Sequence, residues 1–164
     1  MKIGLYLPLL FFALFFQCTT TSQQREEKND SVSTANEMPA LHITTLNNEI
    51  VDTKGLKGNT IFILFQSDCD HCQREAQEIR NHLTSFVSYQ IYFVSADSTE
   101  AVQKFANDYD LSSKDNISFA IATVDEIIKN FGSIPTPSVY IYRDQQLIHK
   151  FHGEVKIEKI LEVL

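Results

Sequence analysis

The chain has no tryptophan, no excess of basic side chains, no internal repeat, and only three cysteines in 164 residues. A formal charge of −7, from 21 acidic against 14 basic side chains, argues against a nucleic-acid surface, which would have to be basic. No apolar run reaches the ~20 residues that a membrane-spanning helix needs. The cysteines are Cys18, Cys69 and Cys72. A four-ligand zinc site around Cys69 and Cys72 is therefore two ligands short, because Cys18 lies far upstream and His82 stands on its own.

At the amino end, a short basic start, Met1-Lys2, precedes an apolar run from Ile3 to Phe16, the proportions of a signal peptide. The run stops at Gln17-Cys18 and gives way to Thr19-Thr20-Thr21-Ser22. This resembles the lipobox of bacterial lipoproteins, with residues 1–17 removed and Cys18 lipidated, although Phe15 and Gln17 depart from the leucine and small residue such boxes carry. The competing reading makes Cys18 a bystander in an ordinary signal peptide or uncleaved anchor. Either way the domain is exported. Residues 18–38 are almost wholly polar and are expected to form a flexible, lipid-attached linker; residues 39–164 suit one domain with one core.

Within 39–164, Leu41 to Leu46 and Glu49 to Thr53 read as an amino-terminal β-hairpin turning at Asn47-Asn48. Ile61 to Phe65 is a continuous apolar run, expected of a central strand covered on both faces. Ala76, Ile79, Leu83 and Phe86 predict an amphipathic helix over 70–85. After a strand at 91–94, Val102, Phe105 and Ala106 predict a second helix, started by a capping-box-like Asp97 and Glu100. Phe119 to Ala122 is another strand. Thr123 with Glu126 caps a short helix whose Val124, Ile127, Ile128 and Phe131 should face inward before Gly132 ends it. A hairpin turning at 143–146 and a last helix with Ile157, Ile160, Leu161 and Leu164 complete an α/β architecture: a mixed sheet with helices on both faces.

Cys69-Asp70-His71-Cys72 falls where the strand Ile61–Phe65 gives way to the first helix. A two-residue gap lets both sulfurs meet in one turn, as a reversible disulfide requires. The unpaired N–H groups and positive dipole of a helix start favour the thiolate of Cys69, the form that attacks. A purely structural disulfide closing so small a loop would remove little entropy from the unfolded chain. His71 as a cation would make the pair more oxidising, while Asp68 and Asp70 act in the opposite sense, so the direction of redox tuning stays open. So does the alternative that His71 simply faces solvent. Downstream, Thr136-Pro137 lies directly before the strand Val139–Tyr142, and an X-Pro bond there is where a cis peptide is tolerated. In company with the cysteine pair, the cis form is expected, leaving the backbone of Thr136 to pair with an extended partner.

The strings GLKG ahead of IFILFQSDCDHC, and FGSIPTPSVYIY, resemble the thioredoxin-like superfamily, most closely the exported TlpA/ResA-like branch and related redoxin domains. The resemblance covers nearly all of residues 40–164 and implies a thioredoxin fold and protein thiol–disulfide exchange. It makes Cys69 the attacking cysteine, Cys72 the resolving one, Pro137 the cis-proline, and Glu75 an acid–base group near the disulfide; a plain surface glutamate is the alternative for Glu75. The chain departs from the family where Asp68 replaces the usual tryptophan and Ile63 replaces the buried acid of ordinary thioredoxins. Residues 59–68 hold no proline, unlike the approach to a peroxiredoxin's reactive cysteine.

The expected function is a thiol–disulfide oxidoreductase of the cell envelope, facing the periplasm. Its expected partners are envelope proteins carrying disulfides or dithiols, and a membrane redox partner. It needs no metal or organic cofactor and binds no nucleic acid. Two rivals remain: a non-catalytic binding module with a static cysteine pair, and copper handling through Cys69, Cys72 and a distant histidine such as His149 or His152.

Overall fold

The computed structural model describes Met1 and residues 36–164. The expected signal peptide, the lipidation candidate Cys18 and most of the expected linker lie outside the described residues. The strands are β1 (His42–Thr45), β2 (Ile50–Asp52), β3 (Asn59–Leu64), β4 (Gln90–Ser95), β5 (Ile117–Ile121), β6 (Ser138–Arg143) and β7 (Gln146–His152). The helices are α1 (Asp70–Asn81), α2 (Thr99–Asp108), α3 (Val124–Phe131) and α4 (Ile157–Leu161).

The strands form one seven-stranded sheet in the order β2-β1-β5-β4-β3-β6-β7. β3, β4 and β5 run parallel, and the remaining neighbours pair antiparallel. This is the expected mixed sheet with an amino-terminal hairpin. β3 is an inner strand paired on both edges, and five of its six residues are buried, which is why its sequence is apolar without alternation.

Alternation along each strand divides two cores. Ile61, Ile63, Ile91, Phe93, Phe119, Val139 and Ile141 pack with buried residues of α1, α2 and α4 on one face. Phe62, Leu64, Tyr92, Val94, Tyr140 and Tyr142 pack on the other with Met38, Leu41, Ile43 and the inner side of α3. The rings of Phe93 and Phe119 stack 4.8 Å apart, and Phe65, just past the end of β3, meets Phe105 at 4.6 Å.

The turns follow local chemistry. Asn48 adopts φ 62° in the first hairpin, and Asp144 and Gln145 adopt φ 47° and 72° in the two-residue turn joining β6 to β7. Thr123 and Glu126 form the expected capping box on α3, and Gly132 closes it with φ 81°.

Four expectations change. The first helix stops at Asn81, and a 3-10 turn at Leu83–Phe86 continues the stripe, because the His82 N–H bonds to the Ile79 carbonyl and tightens the chain. Helix α2 is capped by Ser98, which accepts from the Ala101 N–H, while Asp97 is used elsewhere. On α3, Ile127 and Phe131 pack inward, but Val124 and Ile128 are 56% and 51% exposed, since the apolar stripe is wider than the contact it finds. Finally, the folded part takes in residues 36–38, which the polar sequence places in the linker. Met38 is buried and donates its N–H to the Gln145 carbonyl, and the Leu147 N–H donates to Asn36.

Phe65 anchors the segment leading to Cys69. Replacing it in Phe65→Ala is expected to cost about 3–5 kcal/mol in urea unfolding; a loss below about 1 kcal/mol would show that its cluster does not hold that segment.

Candidate active site

The chain leaves β3 through Phe65, Gln66, Ser67 and Asp68 before Cys69 starts α1. Cys69 keeps an extended backbone, φ −86° and ψ 115°, and its sulfur accepts from the Cys72 N–H at 3.4 Å. Its side chain thus does the capping usually done by Ser or Asp. Both cysteines are free thiols; Cys69 is part-exposed and Cys72 is buried. Burial, reinforced by the hydrogen bond with Cys69, pushes the Cys72 thiol up to about 12.

Opposite stands the segment before β6. The Thr136–Pro137 peptide bond is cis, and the Cys69 thiol donates to the Thr136 carbonyl oxygen at 3.7 Å. The Thr136 backbone is therefore not wholly free: its carbonyl already holds the thiol. The Thr136 hydroxyl donates to Gln66 Oε1 at 2.9 Å, tying the two loops together. The loop before Cys69 is fixed from below by Asp97, whose carboxylate accepts from the Ser67 N–H at 2.6 Å and the Ser67 hydroxyl at 2.7 Å. Gln73 Nε2 adds a bond to the Ser67 carbonyl.

Glu75 lies one helical turn beyond Cys72 and is only 3% exposed. Among the described residues neither of its carboxylate oxygens meets a hydrogen-bond donor. Burial pushes its carboxyl up to about 8, and the negative charge of Glu154 adds to the rise. The plain surface glutamate is thereby set aside. The position could have been read from the helix period, because Glu75 sits three residues after Cys72 and four before Ile79, on the stripe that faces the sheet.

Asp70 opens α1 and is exposed. His71 is exposed too, but it does not simply face solvent: its Nδ1 lies against Glu154 Oε2. Arg74 donates from Nε to Glu154 Oε1 and from Nη2 to Oε2, both at 2.7 Å. Arg74 and His71 together hold the Glu154 carboxyl down at about 2. Sequence reasoning missed Gln66, Ser67, Arg74, Asp97 and Glu154. No local signal marks their roles, since the bonds that join them across the site, Ser67 to Asp97, Gln66 to Thr136 and Arg74 to Glu154, span 30, 70 and 80 positions. His149 packs on the Phe151 ring and His152 Nε2 faces the Tyr140 hydroxyl at 3.2 Å. Among the described residues no three His, Cys, Asp or Glu side chains converge as metal ligands.

Glu75 makes stability depend on pH. The native carboxyl keeps its proton to about 8 against an ordinary 4.5, so the native state binds the extra proton inside that window. Stability is fully present below the window, falls as pH rises through it, and levels off above. Glu75→Gln, neutral throughout, is expected to gain on the wild type by about 2–4 kcal/mol between about pH 5 and pH 8. Parallel pH profiles of thermal unfolding would refute the buried charge.

Comparison with known proteins agrees with this geometry. The chain is 27% identical over 142 residues to the thiol-disulfide oxidoreductase ResA of Bacillus thuringiensis subsp. konkukian, covering 84% of this chain and 80% of that protein. It is 25% identical over 129 residues to ResA of Bacillus anthracis, covering 76% and 72%. Among solved structures it shares the fold of StoA from Bacillus subtilis, with a TM-score of 0.60, 18% identity, and coverage of 77% of this chain and 97% of that one. It also shares the fold of a secreted Mycobacterium tuberculosis disulfide oxidoreductase homologous to E. coli DsbE, with a TM-score of 0.63, 15% identity, and coverage of 75% and 92%. The sequence pattern of the AhpC/TSA family matches residues 34–152, most of the chain, and with a thioredoxin-like sheet carrying the matched residues, the chain belongs to the AhpC/TSA family.

Proposed function

We propose that the protein is a thiol–disulfide oxidoreductase of the cell envelope, exchanging disulfides with protein partners through Cys69 and Cys72. The observation that carries this reading is a part-exposed thiol set on a backbone carbonyl, above a buried thiol whose neighbour one turn on is a partnerless carboxyl. The activity named for the ResA relatives supports the same chemistry.

In the reductive direction, Cys69 loses its proton and attacks one sulfur of a partner disulfide. A Cys69–partner disulfide forms, the partner's own bond breaks, and its second sulfur leaves as a thiolate that takes up a proton. Once Cys69 has no proton to donate, the Thr136 carbonyl is released to accept a backbone N–H of the partner. In the ionised form of Glu75, which grows as pH rises toward 8, the carboxylate takes the Cys72 proton and Cys72 attacks the Cys69 sulfur. The Cys69–Cys72 disulfide forms, the Cys69–partner bond breaks, and the leaving partner sulfur takes the proton that Glu75 received, so the partner departs as a dithiol, two electrons richer. The reverse sequence oxidises a dithiol. A thiol at about 12 provides almost no thiolate at neutral pH, so the resolving step needs a base, and a carboxyl at about 8 is matched to that task. Asp70 and His71, between the cysteines, tune the pair. An apolar groove of about 550 Å³ beside Thr136, lined in part by Val124, Ile128 and Ile134, gives an extended partner somewhere to lie. No cofactor or metal enters the cycle.

Export and tethering complete the proposal, on the strength of the apolar run at 3–16 and of Cys18 at its end. Palmitate fed to cells is expected to label the wild-type chain and not Cys18→Ala; equal labelling would remove the lipid.

Insulin reduction by the full chain is expected to vanish in Cys69→Ser, and Cys72→Ala should accumulate a mixed disulfide with its partner. Glu75→Gln should slow resolution by about a hundredfold or more and erase the rise in its rate toward pH 8. Undiminished turnover in Cys69→Ser would sink the assignment.

A further inference from the structure

The cluster outside the cysteine pair has a charge arrangement that the exchange chemistry leaves unexplained. Glu154 follows β7, yet its carboxylate reaches α1 and takes two parallel hydrogen bonds from Arg74 while lying against His71. Its carboxylate bears on three groups of the site. It grips the guanidinium of Arg74, whose charge in turn feels Asp70 and the Cys69 sulfur; it touches the ring between the cysteines; and its negative charge disfavours ionisation of buried Glu75. A bidentate Arg–carboxylate pair is planar and geometrically demanding, so it fixes both side chains rather than merely attracting them. The neighbouring charges are Glu78 on α1 with Lys156 and Glu158 beyond Glu154, all lining the same open groove.

We propose that Glu154 is a positioning residue that sets the redox poise of the cysteine pair: by clamping Arg74 and His71 it holds back cationic charge that would otherwise stabilise the Cys69 thiolate. The inference rests on the exchange reading of Cys69 and Cys72. With the carboxylate in place, the guanidinium of Arg74 is neutralised and drawn toward the loop after β7, and His71 Nδ1 lies beside Arg74 Nη2 at 2.6 Å. Without the carboxylate, the guanidinium of Arg74 would act on Cys69 unopposed, the reduced form would be favoured, and the disulfide would become more oxidising.

The test uses glutathione equilibration of the full chain, in which the Cys69–Cys72 disulfide and two glutathione thiols give the dithiol and glutathione disulfide. Two variants break the same clamp but change charge in opposite senses. Glu154→Gln is expected to shift the equilibrium about two- to fivefold toward the dithiol, and Arg74→Gln to shift it toward the disulfide. Glu154→Asp, which keeps the charge, should lie close to the wild type. Both variants moving in one direction, or neither moving, would overturn the positioning role, since a merely structural link has no sign. A wild-type chain with no reversible equilibrium would instead sink the exchange reading itself.

Discussion

Backbone pairing across β3 is the constraint from which the site follows. Leu64, the last residue of β3, lies opposite Ser138, the first residue of β6, and also beside Val94 near the end of β4. An antiparallel neighbour and a parallel neighbour therefore bring three chain segments together at one end of these inner strands. Cys69 comes from one, Thr136 from the second and Asp97 from the third. A register slip of one residue in β3 would turn its buried side chains to the wrong core and part the thiol from its carbonyl at the same time. Fold and chemistry are specified by the same ladder.

What the ladder places, a few polar bonds hold. Ser67 is fixed to Asp97, and Gln66 to Thr136, so the loop before Cys69 is tied to strands on either side of its own. Below it lies the opposite situation, the Glu75 carboxyl, which meets no donor among the described residues. The contrast is chemical. In the proposed cycle, a loop that presents a sulfur is best fully satisfied, whereas a group that exchanges a proton is poised by being left unsatisfied.

Most of the fold was legible because its signals are local. The apolar run of β3, the Asn47-Asn48 turn and the Thr123/Glu126 box each depend on residues a few positions apart. The cysteine spacing and the proline context belong to the same class. Local reading failed where a side chain had a distant alternative. Asp97 looked like a helix cap, but Ser67, 30 positions away, offers its carboxylate two donors and leaves Ser98 to cap. Val124 and Ile128 fit an inward stripe by spacing, and only the packed sheet shows that there is room for Ile127 and Phe131 alone. Glu154 carried no signal, because nothing in its neighbourhood announces a partner on α1.

The strap at residues 36–38 has a consequence for how the molecule meets others. It pairs beside the turn joining β6 to β7, at the far end of β6 from Ser138 and the cysteines. Five residue steps of extended strand separate those ends, roughly 16 Å. Whatever precedes residue 36 therefore joins the folded body at the pole opposite its chemistry. A partner that docks over Cys69 therefore need not displace the pairing of residues 36–38.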